Sequence, residues 1–112
     1  MTTRLVASVL LLTALVAAGC KNDGVDASDP RVAKGKAVFQ ANCTACHNMD
    51  PTKPGALGPE IAGSAQELIE ARVMRAEYPA GYTPKRTTRT MVALPQLQGE
   101  IESLYYYLNS IK

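Results

Sequence analysis

The chain has 112 residues, and its twelve lysines and arginines against ten aspartates and glutamates give a formal net charge of +2. Tryptophan is absent and there is a single phenylalanine, so large aromatic side chains are scarce. The near balance of charge argues against a nucleic-acid-binding protein. A domain of this size builds a small core by itself, and the composition therefore permits a protein whose core is completed by a large apolar group.

The first residues have the pattern of a secretory leader. Arg4 gives a positive start, and a mainly apolar run of small and aliphatic residues follows from Leu5 to Val16. This run is too short for a stable membrane-spanning helix. It ends in small residues directly before Cys20, which resembles the bacterial lipoprotein signal. The resemblance implies that residues 1–19 are a lipoprotein-type signal peptide and that Cys20 carries lipid.

Two alternatives remain for this segment: cleavage at another bond, and an uncleaved anchor helix; both still export the protein. In the lipoprotein interpretation, residues 20–29 form a polar, flexible tether, because they lack any hydrophobic periodicity. Several acyl chains hold a protein firmly on a bilayer. We therefore expect a domain over residues 30–112 that is lipid-anchored in the cell envelope and faces the periplasm or the exterior.

The first helix of that domain is predicted over residues 30–41. Asp29 can cap its free amide groups, and Pro30 fits the first helical position without loss of a hydrogen bond. Gly35 lies inside this helix, where a glycine costs about 0.5–1 kcal/mol relative to alanine. A glycine at this position indicates that another backbone packs closely against the helix.

Two more helices are predicted after it. Ser64 and Glu67 have the spacing of a capping box, which predicts a helix over residues 65–77. Four apolar residues at helical spacing predict the last helix over residues 97–110. These are Ile101, Leu104, Leu108 and Ile111. No segment shows the alternation of a strand, so the predicted fold class is all-α. The loops between the helices are long for so small a domain, which indicates that they wrap around a bound group.

The clearest chemistry lies in Cys43 and Cys46, which are three positions apart, and in His47, which follows directly. Two thiols at this spacing can add to the two vinyl groups of one haem, and the adjacent imidazole can ligate the iron. The motif therefore favours one covalently bound haem c.

Three other interpretations of this motif are weaker. A thioredoxin-like redox pair would need a βαβ context and would leave His47 without a role. A structural zinc site would need four ligands, yet with Cys20 used elsewhere only two cysteines and one histidine remain. A disulfide between Cys43 and Cys46 is conceivable, but it would constrain the chain little.

From Gly35 to Ile111 the chain resembles the class I cytochrome c family. Residues 35–39 look like the family's amino-terminal helix, which packs on the carboxy-terminal helix, here at Leu104 and residues 107–108. The resemblance implies a small cytochrome c fold with three or more helices around one covalently bound haem. It also implies that the loop containing Leu57-Gly58-Pro59 lies beside the histidine, with the Pro59 carbonyl accepting a hydrogen bond from the other ring nitrogen of His47.

The same resemblance implies a methionine as the sixth iron ligand, in a loop shortly before the last helix, where Met91 stands. Proline often neighbours that methionine in the family, whereas here Pro95 follows four residues later. Met49 is too close to His47 to reach the opposite face, because two residues span at most about 7 Å. Met74 lies within a predicted helix and is the second candidate.

With histidine and methionine on the two faces of the haem, the resemblance implies a single-electron carrier and no enzyme activity. If Met91 does not bind, the protein is a haem enzyme or a ligand sensor; a haem subunit of a larger oxidoreductase is a further alternative. We expect redox proteins of the envelope as partners, no nucleic acid, and a monomer. Three basic residues precede Met91 and either dock acidic partners, or lie in a solvated loop, or neutralise the haem propionates. They are Lys85, Arg86 and Arg89.

The lipid tether is testable at Cys20. Replacing residues 1–20 by a cleavable secretory leader without the cysteine should move the protein from the membrane fraction to the periplasmic fraction, because the anchor is lost. Its absorption spectrum should stay unchanged. Mass spectrometry of the native amino terminus is the direct measurement, and a terminus without acyl chains would contradict the assignment.

Overall fold

The computed structural model describes residues 25–111, which form three α-helices joined by long loops. Helix α1 spans Pro30–Asn42, α2 spans Gln66–Arg75 and α3 spans Ile101–Ser110. A 3-10 helix over Pro95–Glu100 leads directly into α3. These residues contain no strand, and the all-α prediction is confirmed. Arg4, residues 1–19 and Cys20 lie outside the described residues.

Within residues 25–111 no helix has both the length and the apolar character that crossing a membrane requires.

The start of α1 is the one predicted from Asp29 and Pro30. The Asp29 Oδ1 accepts a hydrogen bond of 2.9 Å from the Arg31 N–H, which caps the helix, and Pro30 occupies the first turn. The helix ends one residue later than predicted, at Asn42, and the Cys43 N–H still donates to the Phe39 carbonyl at 2.9 Å. The first cysteine of the motif therefore follows the last residue of α1 directly.

Helices α1 and α3 pack against each other at Gly35. A Cβ atom placed on this glycine would overlap the Ser103 carbonyl group and the Tyr107 Cβ. One turn further along α1, the Phe39 side chain is completely buried, and its ring centroid lies 5.4 Å from that of Tyr107. The close approach of a second backbone, predicted from the glycine, is confirmed, and it seals one side of the core.

The second helix differs from its prediction at both ends. The capping box is wrong: the N-cap is Ala65 and no side chain caps the helix, while the Ser64 hydroxyl donates to the Ile61 carbonyl at 2.6 Å. The helix ends at Arg75, because Ala76 adopts the left-handed conformation with φ 55°. The Ala76 N–H donates to the Arg72 carbonyl at 3.0 Å, which is the bond expected where a helix ends at a left-handed residue.

The last helix is split into two parts. It was predicted as one α-helix over residues 97–110, but the chain first forms the 3-10 helix Pro95–Glu100 and becomes α-helical at Ile101. The Leu94 N–H donates to the Val73 carbonyl at 2.6 Å, which ties the entrance of this segment to α2. The helix ends at Ser110 as predicted. Its apolar side belongs to the core, with Ile101, Leu104, Tyr107 and Leu108 buried.

The α1–α3 contact is testable by adding one methyl group. Gly35→Ala should lower the free energy of unfolding by about 1–3 kcal/mol, because the methyl group must push the Ser103 backbone away. Gly99→Ala is the matched control, since a Cβ there has no neighbour within 4 Å. Urea titration of both variants measures the difference, and equal stabilities would contradict close packing at Gly35.

Candidate haem-attachment site

A tight turn after α1 brings the motif residues together. The Cys46 N–H and the His47 N–H both donate to the Cys43 carbonyl, at 3.2 and 2.9 Å. The two thiols and the imidazole line the same cleft. Both cysteines are half-buried and neither is in a disulfide.

Residues 57–59, in the loop that follows the motif, pack against the His47 imidazole and orient it. The Leu57 and Gly58 N–H groups donate to the Cys46 carbonyl, at 3.2 and 2.9 Å. Gly58 lies directly against the imidazole, and a Cβ there would overlap the ring. The His47 Nδ1 lies 2.9 Å from the Pro59 carbonyl oxygen. Since a carbonyl only accepts, this contact requires the proton on Nδ1 and leaves Nε2 as the atom that can ligate a metal.

The walls of the cleft are mostly apolar and come from all three helices. Phe39 of α1, Ile69 and Val73 of α2, and Leu104 and Leu108 of α3 all line it. Most of the polar lining residues come from the loops, and Arg72 comes from α2. They include Arg72, Tyr78, Tyr82, Lys85, Arg86, Thr88 and Thr90.

The three methionines of the described part have different surroundings. Met91 lines the cleft and is half-buried against the core. Met49 has 69% of its surface exposed, and Met74 packs against the core, and neither lines the cleft. The geometry thus favours Met91 over both alternatives as the thioether available to a group bound in the cleft.

Two of the alternatives for the motif are disfavoured, one by the protonation of a thiol and the other by the grouping of side chains. Burial, together with the charge of Cys46, raises the pKa of the Cys43 thiol to about 11. At neutral pH this thiol stays protonated, whereas a thioredoxin-like pair needs a thiolate at lowered pKa. Within residues 25–111 no three histidine, cysteine or carboxylate side chains are grouped as metal ligands, so a structural zinc site has no support either.

These residues fit a haem c. Cys43 and Cys46 would hold it through two thioether bonds, and the Nε2 of His47 is free to ligate its iron. The apolar walls match the faces of a porphyrin, and the basic and hydroxyl side chains suit its carboxylates.

An aromatic stack at the cleft was missed by the sequence analysis. The Tyr78 and Tyr82 rings are parallel within 6° with centroids 5.4 Å apart, and the Arg72 guanidinium lies 4.1 Å from the centre of the Tyr78 ring. The turn in which the Tyr82 N–H donates to the Pro79 carbonyl brings the two tyrosines together. The signal in the sequence was the proline between two tyrosines four residues apart.

Two of the three basic residues before Met91 make contacts within the molecule. Lys85 is paired with Glu60 at 3.2 Å, and the Arg86 Nη2 donates to the Gly55 carbonyl at 3.1 Å. Arg89 is exposed and has no ion pair among the described side chains. Two of the three cations are therefore used inside the molecule.

Covalent attachment is testable at the two thiols. The variant with Cys43→Ser and Cys46→Ser should lose covalently bound haem, because no thioether bond can form. The wild-type protein should keep its colour in acidified acetone, which extracts haem that is not covalently bound. Retention of stoichiometric covalent haem by the double variant would contradict the assignment of these cysteines.

Comparison with known proteins agrees with this site. The profile of the cytochrome c family matches residues 32–112. A protein of a Synechocystis species named cytochrome c-553-like is 28% identical over 79 residues, which are 70% of this chain and 65% of that protein. The chain thus spans slightly less than two thirds of that relative's length. No solved structure shows a significant match. With the profile covering most of its length and a cleft built for the cofactor, the chain belongs to the cytochrome c family and carries covalently bound haem c.

Proposed function

We propose that the protein is a single-electron carrier of the bacterial cell envelope whose haem is ligated by His47 and Met91. Members of the cytochrome c family are generally electron carriers rather than enzymes. The single observation that carries the proposal is that Met91 lines the same cleft as His47 and the two cysteines, while Met49 and Met74 do not.

The two ligands account for transfer of electrons without chemistry on a substrate. Bound haem c supplies an iron that takes up and releases one electron. The chain contributes an imidazole fixed through Pro59 and a thioether from Met91, which together leave no position for a substrate. The apolar residues of the cleft exclude water, and methionine ligation favours a higher potential than a second histidine would give.

The proposed partners are redox proteins of the envelope that contact the mouth of the cleft. Leu57 and Val92 line the cleft and yet have 51% and 69% of their surface exposed, so we infer that they form an apolar part of the rim of its opening. Arg89 is exposed and precedes Val92 in the sequence, and its positive charge can attract an acidic partner over long range. We propose that the protein meets these partners as a monomer, held at a membrane by lipid on Cys20.

The sixth iron ligand is testable with one substitution at Met91 and two control substitutions at the other methionines. Met91→Ala should remove the far-red charge-transfer band of the ferric protein, lower the reduction potential, and open the iron to cyanide or carbon monoxide. The physical reason is loss of the thioether that fills the sixth position. Met74→Leu and Met49→Leu should leave all three properties nearly unchanged, because neither side chain lines the cleft.

Two results would contradict this assignment. Loss of the band in Met74→Leu would move the ligand to α2. A wild-type protein that binds carbon monoxide at once would show an open iron and favour an enzyme or a ligand sensor.

A further inference from the structure

The segment that carries Met91 is attached weakly along its length. Residues 83–93 make no backbone-to-backbone hydrogen bond to any part of the chain that the structure describes. The nearest such bonds lie at the two ends, where the Tyr82 N–H donates to Pro79 and the Leu94 N–H donates to Val73. A segment of this length without backbone bonds has considerable conformational freedom to lose when its methionine is held in one place.

Two side chains fasten this segment to the loop beside His47. The Lys85 Nζ donates to the Glu60 carbonyl at 3.0 Å and pairs with the Glu60 Oε1 at 3.2 Å. The Arg86 Nη2 donates to the Gly55 carbonyl at 3.1 Å. We call these two cations and their acceptors in residues 55–60 the brace.

The brace ends on the turn that also orients the imidazole. Within residues 55–60 the Pro59 carbonyl contacts His47, and the Gly58 N–H donates to the Cys46 carbonyl. Glu60 follows Pro59 directly. Lys85 therefore donates to a carbonyl that is adjacent in sequence to the one that orients the histidine. The surroundings of the two proposed axial ligands are thereby joined by side chains, although the ligands lie 44 residues apart in sequence.

We propose that Lys85 and Arg86 are positioning residues that keep Met91 on the iron by fastening its segment to the loop beside His47. This rests on the proposed ligation by His47 and Met91. When the thioether leaves the iron, the brace keeps its segment close, so that rebinding competes well with the entry of another ligand. Without the brace, the segment samples more open conformations and the sixth position is exposed for a larger fraction of time.

The expected effect is moderate, because both members of the Lys85–Glu60 pair are more than two fifths exposed. Half-exposed charged contacts typically change an equilibrium by about 1.5-fold to fivefold. Both cations also line the cleft, and their charge alone can act on the haem. The experiment must therefore separate the position of Met91 from the charge near the cofactor.

The test is the rate at which imidazole binds to the ferric holoprotein in mildly alkaline buffer. Imidazole is uncharged there, so loss of a cation does not alter its approach to the site. Lys85→Met and Arg86→Met should each accelerate binding by about twofold to fivefold, and the double variant by more. Lys85→Arg should stay close to wild type, because a guanidinium can replace both contacts.

Three variants serve as controls. Lys53→Met removes the exposed ion pair between Lys53 and Asp50, whose charged atoms are 3.4 Å apart. This pair lies within the loop beside His47 and does not connect that loop to another one. Arg89→Met removes a cation from the segment itself that has no ion pair among the described residues. Val32→Ala weakens the core away from the cleft. All three should bind imidazole within about 1.5-fold of the wild-type rate.

The outcomes distinguish the brace from the ligand assignment. If the wild-type protein binds imidazole as fast as Met91→Ala, Met91 is not the ligand and both proposals fail. If the wild-type protein is slow and the double variant equally slow, the brace alone is overturned. A shifted reduction potential with an unchanged binding rate also overturns it, since the cations then act only through charge. Acceleration by Val32→Ala equal to that by Lys85→Met would show general loosening and overturn it as well.

Discussion

The close contact between α1 and α3 at Gly35 is the constraint on which the rest of the structure depends. It brings two backbones together without a side chain between them, so that Phe39 and Tyr107 meet one turn later. Phe39 and Leu104 are the largest completely buried side chains, and both face the cleft. Since α1 ends directly before Cys43, the packing of α1 on α3 also sets where the first thiol lies.

The loop beside His47 shows how irregular backbone can be held without a helix or a strand. Its amide groups find an acceptor in the Cys46 carbonyl, and the Pro59 carbonyl finds the imidazole. Gly58 allows the backbone to approach the ring more closely than any other residue would. The attachment motif is therefore both the chemical site and the scaffold of the loop that orients its histidine.

The sequence patterns correctly predicted those helix boundaries that depend on interactions between neighbouring residues. The start of α1 followed from Asp29 and Pro30, and the end of α3 from hydrophobic periodicity, because each depends on neighbours in sequence. The capping box failed since the Ser64 hydroxyl donates to the Ile61 carbonyl, which the spacing of residues does not reveal. The 3-10 helix before α3 was likewise missed. There the bond from Leu94 to Val73 is a tertiary contact that fixes how the chain enters the helix.

At the site, the sequence predicted the residues that carry chemistry and the Pro59 carbonyl beside His47, but not the contacts of Lys85 and Arg86. Cys43, Cys46 and His47 are adjacent in sequence, so their meeting in one cleft needed no long-range information. Lys85 and Arg86 looked like part of a charged surface, because their acceptors lie 25 and 31 residues away. The acceptors include two backbone carbonyls, which have no signature in a sequence.

The scarcity of large aromatic residues connects stability with function in this protein. The buried core consists mainly of aliphatic side chains, and several of them also line the cleft. Apolar walls left open to water contribute little to stability, whereas the same walls covered by a porphyrin bury their surface completely. The cofactor thus completes the hydrophobic core at the place where water must be excluded around the iron. A short chain with few aromatic residues can in this way gain stability and a dry redox centre from one covalently bound group.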